Sequence, residues 1–505
     1  MSPVAGVVAV VLVTTATLAI GAFGLRISRT TSDFYVASRT VGPVTNASAI
    51  SGEYLSAASF LGVAGLVLAR GADMLWYPIG WTAGYLILLL FVAAPLRRSG
   101  AYTLPDFADL RLESPNTRRT ASALVVLIGV LYLIPQFQGA GLTLHALTGA
   151  PPWVGALVVA LVVLLNVLAG GMRSITLVQA FQYWLKLVAL LLPVAFFLVV
   201  WNHDGTPDPG RMRLRDWVEP LSGPHSVYLT YSLILATFLG TMGLPHVVVR
   251  FYTNRDGRAA RRTTVTVLGL LSCFYLLPTL YGVLGRVYAF DLVAAGRTDS
   301  VVLELPGRLL GGTPGDLFTA LVAAGAFAAF LSTSSGLVIS VGGVISQDLL
   351  SRRMDGVAAF RVACTLAAAV TLGLTVASSG LAVAHAVELA FAVAASTFCP
   401  LLLLGIWWRG LTAPGAMAGL LVGGGLSTVA VGCAMSGLQA TGWPAAVLTQ
   451  PAAVSVPLSF AVMVVGSLLT RDRVPAHLAR TMVRLHAPEH LDLDRGSYHP
   501  ERQTG

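Results

Sequence analysis

Apolar residues in this chain fall into long, nearly unbroken runs. They lie at 4–25, 44–69, 75–96, 121–147, 151–171, 177–201, 226–249, 263–288, 314–349, 357–378, 381–408, 413–436 and 452–470. Each matches or exceeds the ~20 residues a helix needs to cross a bilayer, and none shows the alternation of a half-buried strand. The pattern predicts an all-α integral membrane protein of about 13 transmembrane helices. A membrane domain fills residues 1–470 and a short charged tail 471–505. The ninth run is long, and its last turn is expected to leave the bilayer at Gln347-Asp348. The first is too long for a signal-peptide core, and basic residues follow it rather than precede it, so it reads as a retained span.

Composition agrees with that reading. Of 505 residues, 55% are hydrophobic and 11% charged, against about 25% charged in soluble domains. The net charge of +9 comes from 31 Arg and one Lys set against 23 acidic residues. The arginines sit in short connections, as topology determinants do, so the charge speaks for membrane lipid and against nucleic acid. With the N-terminus outside, 24 of the 31 arginines fall on the cytoplasmic side, among them Arg97, Arg98, Arg118, Arg119, Arg255, Arg258, Arg409 and those of the tail. The C-terminus is then cytoplasmic. Lysine is scarce beside arginine, a hint of a GC-rich bacterial genome and so of a bacterial inner (plasma) membrane. Residues 98–120 read as a basic amphipathic segment along the inner interface.

No P-loop, metal motif or nucleophile–base pair appears, which argues against an enzyme and against ATP-driven transport. No organic cofactor and no obligate protein partner is indicated. Cys273, Cys364, Cys399 and Cys433 all lie in apolar stretches without CxxC spacing and read as packing residues.

Three spans are imperfect. The second carries Glu53 among Ser51, Gly52, Ser56 and Ser59, and the seventh carries Gly240, Gly243 and Pro245 before His246. A carboxylate and helix breakers inside a span are costly unless they line a cavity or meet partners. These two spans lie five apart, as broken helices do in inverted-repeat transporters. The ninth span has four adjacent hydroxyls, Ser332 to Ser335. Either they bond back to their own helix, or Ser332 and Thr333, with the Ala329 carbonyl one turn earlier, offer hard oxygens to a cation such as Na⁺.

These segments resemble the sodium:solute symporters from about Ser32 to Leu469, nearest the cation/acetate (monocarboxylate permease) branch. The matching stretches are SDFYVASR (32–39), GEYLSAASFLG (52–62), GGMRS (170–174), GTMGLPHVVVRFYT (240–253), SQDLL (346–350) and WWRGLTAPGAMAG (407–419). The resemblance implies a LeuT-like 5+5 inverted-repeat core in spans 2–11. It also implies a Na⁺ site at Gly52, Leu55, Ala329, Ser332 and Thr333. A substrate site beside it would draw on Tyr54, Ser56, Ser59, Gln136, Gln138, Thr241, Gly243 and His246. Nothing matches the pattern of the sugar-carrying members.

The implied function is cation-coupled, Na⁺-driven uptake of a small monocarboxylate such as acetate, propionate or pyruvate. Alternatives are symport of an amino acid, nucleobase or sugar, coupling to H⁺ instead of Na⁺, or a membrane sensor. Glu53 is either a proton-linked carboxylate or one half of an ion pair. His246 either contacts substrate or packs beside a gate. Glu388, with His385 one turn away, is either an external gate or interfacial. Lys186 is expected to snorkel from span six to the inner interface.

Overall fold

The computed structural model describes residues 3–25, 41–211, 217, 219–221, 223–351, 354–377, 383–436 and 440–491, and every regular element among them is helical. The principal helices are α1 (Pro3–Leu25), α2 (Pro43–Tyr54), α3 (Val63–Arg70), α4 (Trp76–Ile87), α5 (Leu104–Leu112), α6 (Pro115–Thr148), α7 (Pro152–His203), α8 (Ser226–Gly243) and α9 (Pro245–Tyr252). They continue as α10 (Gly257–Tyr288), α11 (Val301–Leu310), α12 (Gly312–Ile345), α13 (Gly356–Ala377), α14 (Val383–Trp407), α15 (Ala413–Met435), α16 (Ala452–Leu469) and α17 (Leu478–His486). The stretch 32–39, the arginines at 26, 29, 39, 352 and 353, and the tail beyond 491 lie outside the described residues.

Among the described residues, 11 helices are long and apolar enough to cross a membrane, against the 13 expected. The difference has two sources. Residues 58–99 form one nearly continuous helical run, and Pro152–Leu168 is apolar but short. Helix α7 runs for 52 residues, and straight it would be ~78 Å long, more than twice the ~30 Å hydrocarbon layer. Its start lines a cavity with Asp299, and past its end Asp204 accepts from Tyr288 at 2.8 Å, shortly before that same segment. With both ends on one face, the run holds two crossings.

The two predicted breaks are present. Between α2 and the π-helical turn Ala58–Gly62, Leu55 leaves helical geometry with ψ near 86°. Between α8 and α9, Leu244 is extended, and Pro245, which has no amide hydrogen to lose, opens α9. Helix α12 lies at the centre, with residues 322–345 buried throughout, and packs on α7, α6 and α1. Helix α14 packs on α8 and α6, while α15 and α16 pair at the periphery.

One expectation fails here. The loop after Arg98 does not lie along the interface, because every residue of α5 is buried. Thr103 and Asp106 close its N-terminus as a reciprocal capping box. Arg111 is drawn inward because its Nε donates to the Gly405 carbonyl at 2.9 Å, near the end of α14.

Candidate functional site

A broken helix leaves backbone groups without intrahelical partners, and inside a membrane each must be satisfied by another part of the protein. At the α2 break side chains meet several of these groups. The Ala57 amide donates to Gln136 Oε1 on α6 at 2.9 Å. Thr333 Oγ1 on α12 donates to the Glu53 carbonyl at 2.6 Å. Ser332 Oγ donates to the Gly52 carbonyl at 2.7 Å and shares that hydrogen with the Ala329 carbonyl at 3.0 Å.

The Gly52 and Leu55 carbonyls also accept from Lys186 of α7. Its Nζ lies 2.8 Å from Leu55 O and 2.7 Å from Ser332 Oγ, with Gly52 O as third partner. The expected snorkelling therefore does not occur: Lys186 is fully buried. Three acceptors match the three hydrogens of an ammonium, so nothing is gained by reaching for water. All five residues that the resemblance assigned to Na⁺ belong to this one network. Gly52, Leu55 and Ser332 touch Nζ directly, Ala329 meets them through Ser332, and Thr333 turns to the Glu53 carbonyl.

Beside this centre, Arg250 of α9 donates to Glu53 Oε2 at 2.6 Å, to Thr176 Oγ1 at 2.8 Å and to Gln179 Oε1. Gln179 in turn donates to the Ser332 carbonyl at 2.7 Å. Of the two roles left open for Glu53, the geometry is that of the ion pair. Gly336 packs directly on the Glu53 carboxyl group, where a Cβ would collide.

The substrate candidates divide. Tyr54 OH meets Thr241 Oγ1 at 2.8 Å and donates to the Trp81 carbonyl at 3.2 Å. Ser59 Oγ pairs with Tyr275 OH at 2.9 Å. The His246 ring stacks edge-on against Tyr132, with centroids 5.1 Å apart. These groups surround an aromatic cluster in which Phe391 contacts Tyr54, Trp81 and Tyr132, Tyr85 stands edge-on to Tyr54, and Tyr275 lies against Trp81. Ser56 is buried nearby. Gln136 caps the α2 break, Gly243 packs on the Ala394 carbonyl of α14, and Gln138 faces a cavity farther out.

That cavity has a volume of about 2170 Å³ and opens on the face opposite the arginine-rich connections. Gln138, Phe137, Tyr77 and Glu388 are among its lining residues. Glu388 accepts from Tyr77 OH at 2.5 Å and sits 3.4 Å from His385, so it belongs to the vestibule and not to the lipid interface. Asp299 stands half-buried in the vestibule wall, and burial pushes its carboxyl up to about 6. On the arginine-rich face the described residues are tied together across the helices. Asn46 meets Asn254 at 3.2 Å, Arg97 holds the Arg255 carbonyl at 2.7 Å, and Arg118 reaches Asp106 and Asp348, each at 2.8 Å.

Below the vestibule, Trp81 Nε1, Tyr85 OH and both ring nitrogens of His246 are buried without a hydrogen-bond partner. Buried polar groups of this kind normally have partners, and with Trp81 Nε1, Tyr85 OH and the single N–H of a neutral imidazole as donors they suit a small ligand rich in acceptors. Sequence reasoning missed Trp81, Tyr85, Tyr132, Tyr275 and Phe391, which look like ordinary span aromatics. It also misplaced Lys186, although a charge at mid-span was a signal in itself.

Comparison with known proteins supplies the relationship. The model of the sodium:solute symporter family matches residues 34–423. The chain is 32% identical over 504 residues to the uncharacterized symporter YwcA of Bacillus subtilis, covering 95% of this chain and 97% of that one. It is 31% identical to a monocarboxylic acid transporter of Corynebacterium glutamicum, covering 91% and 90%. Its fold resembles that of a Na⁺-coupled sialic acid symporter solved in a substrate-bound outward-open state, with TM-score 0.72, 14% identity, and coverage of 92% and 97%. It also resembles Mhp1, a nucleobase-cation symporter, with TM-score 0.57, 14% identity, and coverage of 90% and 99%. The fold is thus the LeuT-like arrangement of the sodium symporters, and the chain belongs to the sodium:solute symporter family, a family of transporters and not of enzymes.

Proposed function

We propose that this chain is a secondary active transporter that brings a small monocarboxylate, of the size of acetate, propionate or pyruvate, into a bacterial cell together with a cation. The observation that carries this reading is the set of unpartnered buried polar groups around the Tyr54–Phe391–Tyr132 cluster: the donors Trp81 Nε1 and Tyr85 OH, and the His246 ring, which offers one N–H when neutral. A short carboxylate offers acceptors to such donors and an apolar remnant to the rings. The buried charges nearby favour an anion as well, since among the described residues Arg250 and Lys186 as an ammonium face Glu53 alone, a surplus of one positive charge. The similarity to a monocarboxylic acid transporter supports the same substrate class.

The vestibule lies opposite the arginine-rich face, and the positive-inside rule supports reading it as the external entrance, with the N-terminus outside and the C-terminus in the cytoplasm. Solute enters there, the aromatic cluster closes over it, and rearrangement of the broken helices against α12 opens the opposite side. Coupling requires only that each cargo bind better in the presence of the other. Membership in a family of sodium symporters supports Na⁺ as the coupled ion, and the resemblance assigned it to Gly52, Leu55, Ala329, Ser332 and Thr333. Lys186 stands among those oxygens.

The test is uptake of labelled acetate, propionate and pyruvate into proteoliposomes containing the purified chain, under imposed Na⁺ and pH gradients separately. Concentrative uptake of at least one, competed by the others, is expected. Accumulation of an amino acid, nucleobase or sugar with no short monocarboxylate carried would overturn the reading.

A further inference from the structure

Three of the five assigned residues, Gly52, Leu55 and Ser332, present oxygens that converge as they would around a small cation, and the point of convergence is filled by a side chain. Lys186 Nζ lies 2.7 Å from Ser332 Oγ and 2.8 Å from the Leu55 carbonyl, and the Gly52 carbonyl is its third acceptor. Each oxygen turns a lone pair toward the ammonium, the same pole it would turn toward Na⁺. The Ser332 hydroxyl hydrogen is directed away, onto the Gly52 and Ala329 carbonyls. Lys186 is fully buried and is the only lysine in the chain.

A Na⁺ placed here would meet two obstacles. Its ligands are already engaged, and a like charge would stand within hydrogen-bond distance in a medium that screens poorly. Glu53 does not remove the second obstacle, because its carboxylate is matched to Arg250, whose fork is itself anchored on Thr176 and Gln179.

We propose that Lys186 is a tethered cation that takes the place of the family's coupling Na⁺, so that the centre formed by Gly52, Leu55, Ala329, Ser332 and Thr333 binds no Na⁺ in this protein. The inference rests on the reading of the chain as a cation–solute symporter and sharpens it at one site. Any Na⁺ that accompanies the solute has to use other oxygens. The ammonium does the mechanical work a bound ion would do here. It ties the broken end of α2 to α12 and α7, and it never leaves.

The experiment measures ²²Na⁺ binding to the full-length chain purified in detergent, in the absence of solute, with each variant first checked for monodisperse elution. Ser332→Ala with Thr333→Ala in the wild-type background is expected to leave ²²Na⁺ binding unchanged, because the pair serves no ion. Lys186→Ala vacates the centre while keeping its oxygens, and is expected to gain one further saturable Na⁺ per chain. That gain should vanish when the two hydroxyl substitutions are added. Lys186→Met, which fills the same space without charge, is expected to gain none. Wild-type ²²Na⁺ binding that falls on removal of Ser332 and Thr333 would overturn the proposal. So would a folded Lys186→Ala that acquires no site. If Lys186→Ala does not fold, the wild-type comparison decides alone. No solute is present in these measurements, so failure of monocarboxylate uptake and failure of this proposal remain separate results.

Discussion

Arg250 Nε lies 2.6 Å from Glu53 Oε2, joining the first half of one broken helix to the second half of the other with both side chains sealed from solvent. Removing one partner of such a pair leaves an uncompensated buried charge, at a cost of about 3–5 kcal/mol. Arg250→Ala is therefore expected to lower the melting temperature of the purified protein sharply and to abolish uptake. Arg250→Lys should rescue little, since one ammonium cannot reproduce a fork shared among Glu53, Thr176 and Gln179. Glu53→Gln combined with Arg250→Met should be milder than the sum of the single changes, as a double-mutant cycle of thermal melts would show.

Gly336→Ala tests the same contact from the opposite helix. A methyl group there would strike the Glu53 carboxyl group, which its ion pair prevents from moving aside. A loss of about 1–3 kcal/mol is expected, typical of overpacking, and the substitution Gly336→Ala should lose that penalty in the Glu53→Gln, Arg250→Met background.

Tyr54→Phe deletes a hydroxyl that meets Thr241 and donates to the Trp81 carbonyl. The loss of a neutral hydrogen bond is worth ~1 kcal/mol, or roughly fivefold in affinity. If Tyr54 helps shape the solute pocket, KM for uptake should rise by up to about that factor, alongside a modest fall in melting temperature from the lost internal hydrogen bonds. An unchanged KM would remove Tyr54 from the pocket.

Arg118 draws Asp106 of α5 and Asp348, just past α12, onto the start of α6 on the arginine-rich face. Arg118→Ala should weaken that closure by about 1.5–3 kcal/mol for each lost charge-assisted bond. A cysteine placed at Asn46, itself bonded to Asn254 behind this closure, should then react faster with a membrane-impermeant thiol reagent applied from that side. An unchanged labelling rate would rule out a gating role for the arginine.

Asp299 gives a pH signature. Burial raises its folded-state carboxyl from the ordinary 3.8 to about 6, so the fold favours the uncharged form. The resulting stabilisation is fully present below the unfolded value and is lost as pH rises through about 6. Asp299→Asn should flatten that decline in melting temperature across the same interval.

The breaks were legible because their causes are local. Proline at 245 and the glycines before it act on their own turn, and the hydroxyls at 332 and 333 announce themselves in any span. What Lys186 does was not legible, because its partners lie 134, 131 and 146 residues away on two other helices. A hydrophobic run tells that a lysine is in the membrane but not which carbonyls a break elsewhere has set free. Glu53 posed the same difficulty, with its arginine 197 residues distant. The aromatic cluster was hidden for a different reason: Trp81, Tyr132 and Phe391 are as compatible with lipid-facing positions as with a pocket, and only the packing separates the two.

The vestibule has a consequence for how the protein could be blocked. At about 2170 Å³ it exceeds the roughly 300–1,000 Å³ of ordinary ligand pockets, and so far exceeds any two- or three-carbon acid. Selection by size must take place deeper, where Trp81 and Phe391 meet. A molecule too bulky to pass those rings can still lodge above them, with Asp299, Glu388 and Arg70 as handholds. Such a plug would stop traffic without resembling the cargo, and resistance to it could evolve in the vestibule wall while the passage below stays unchanged.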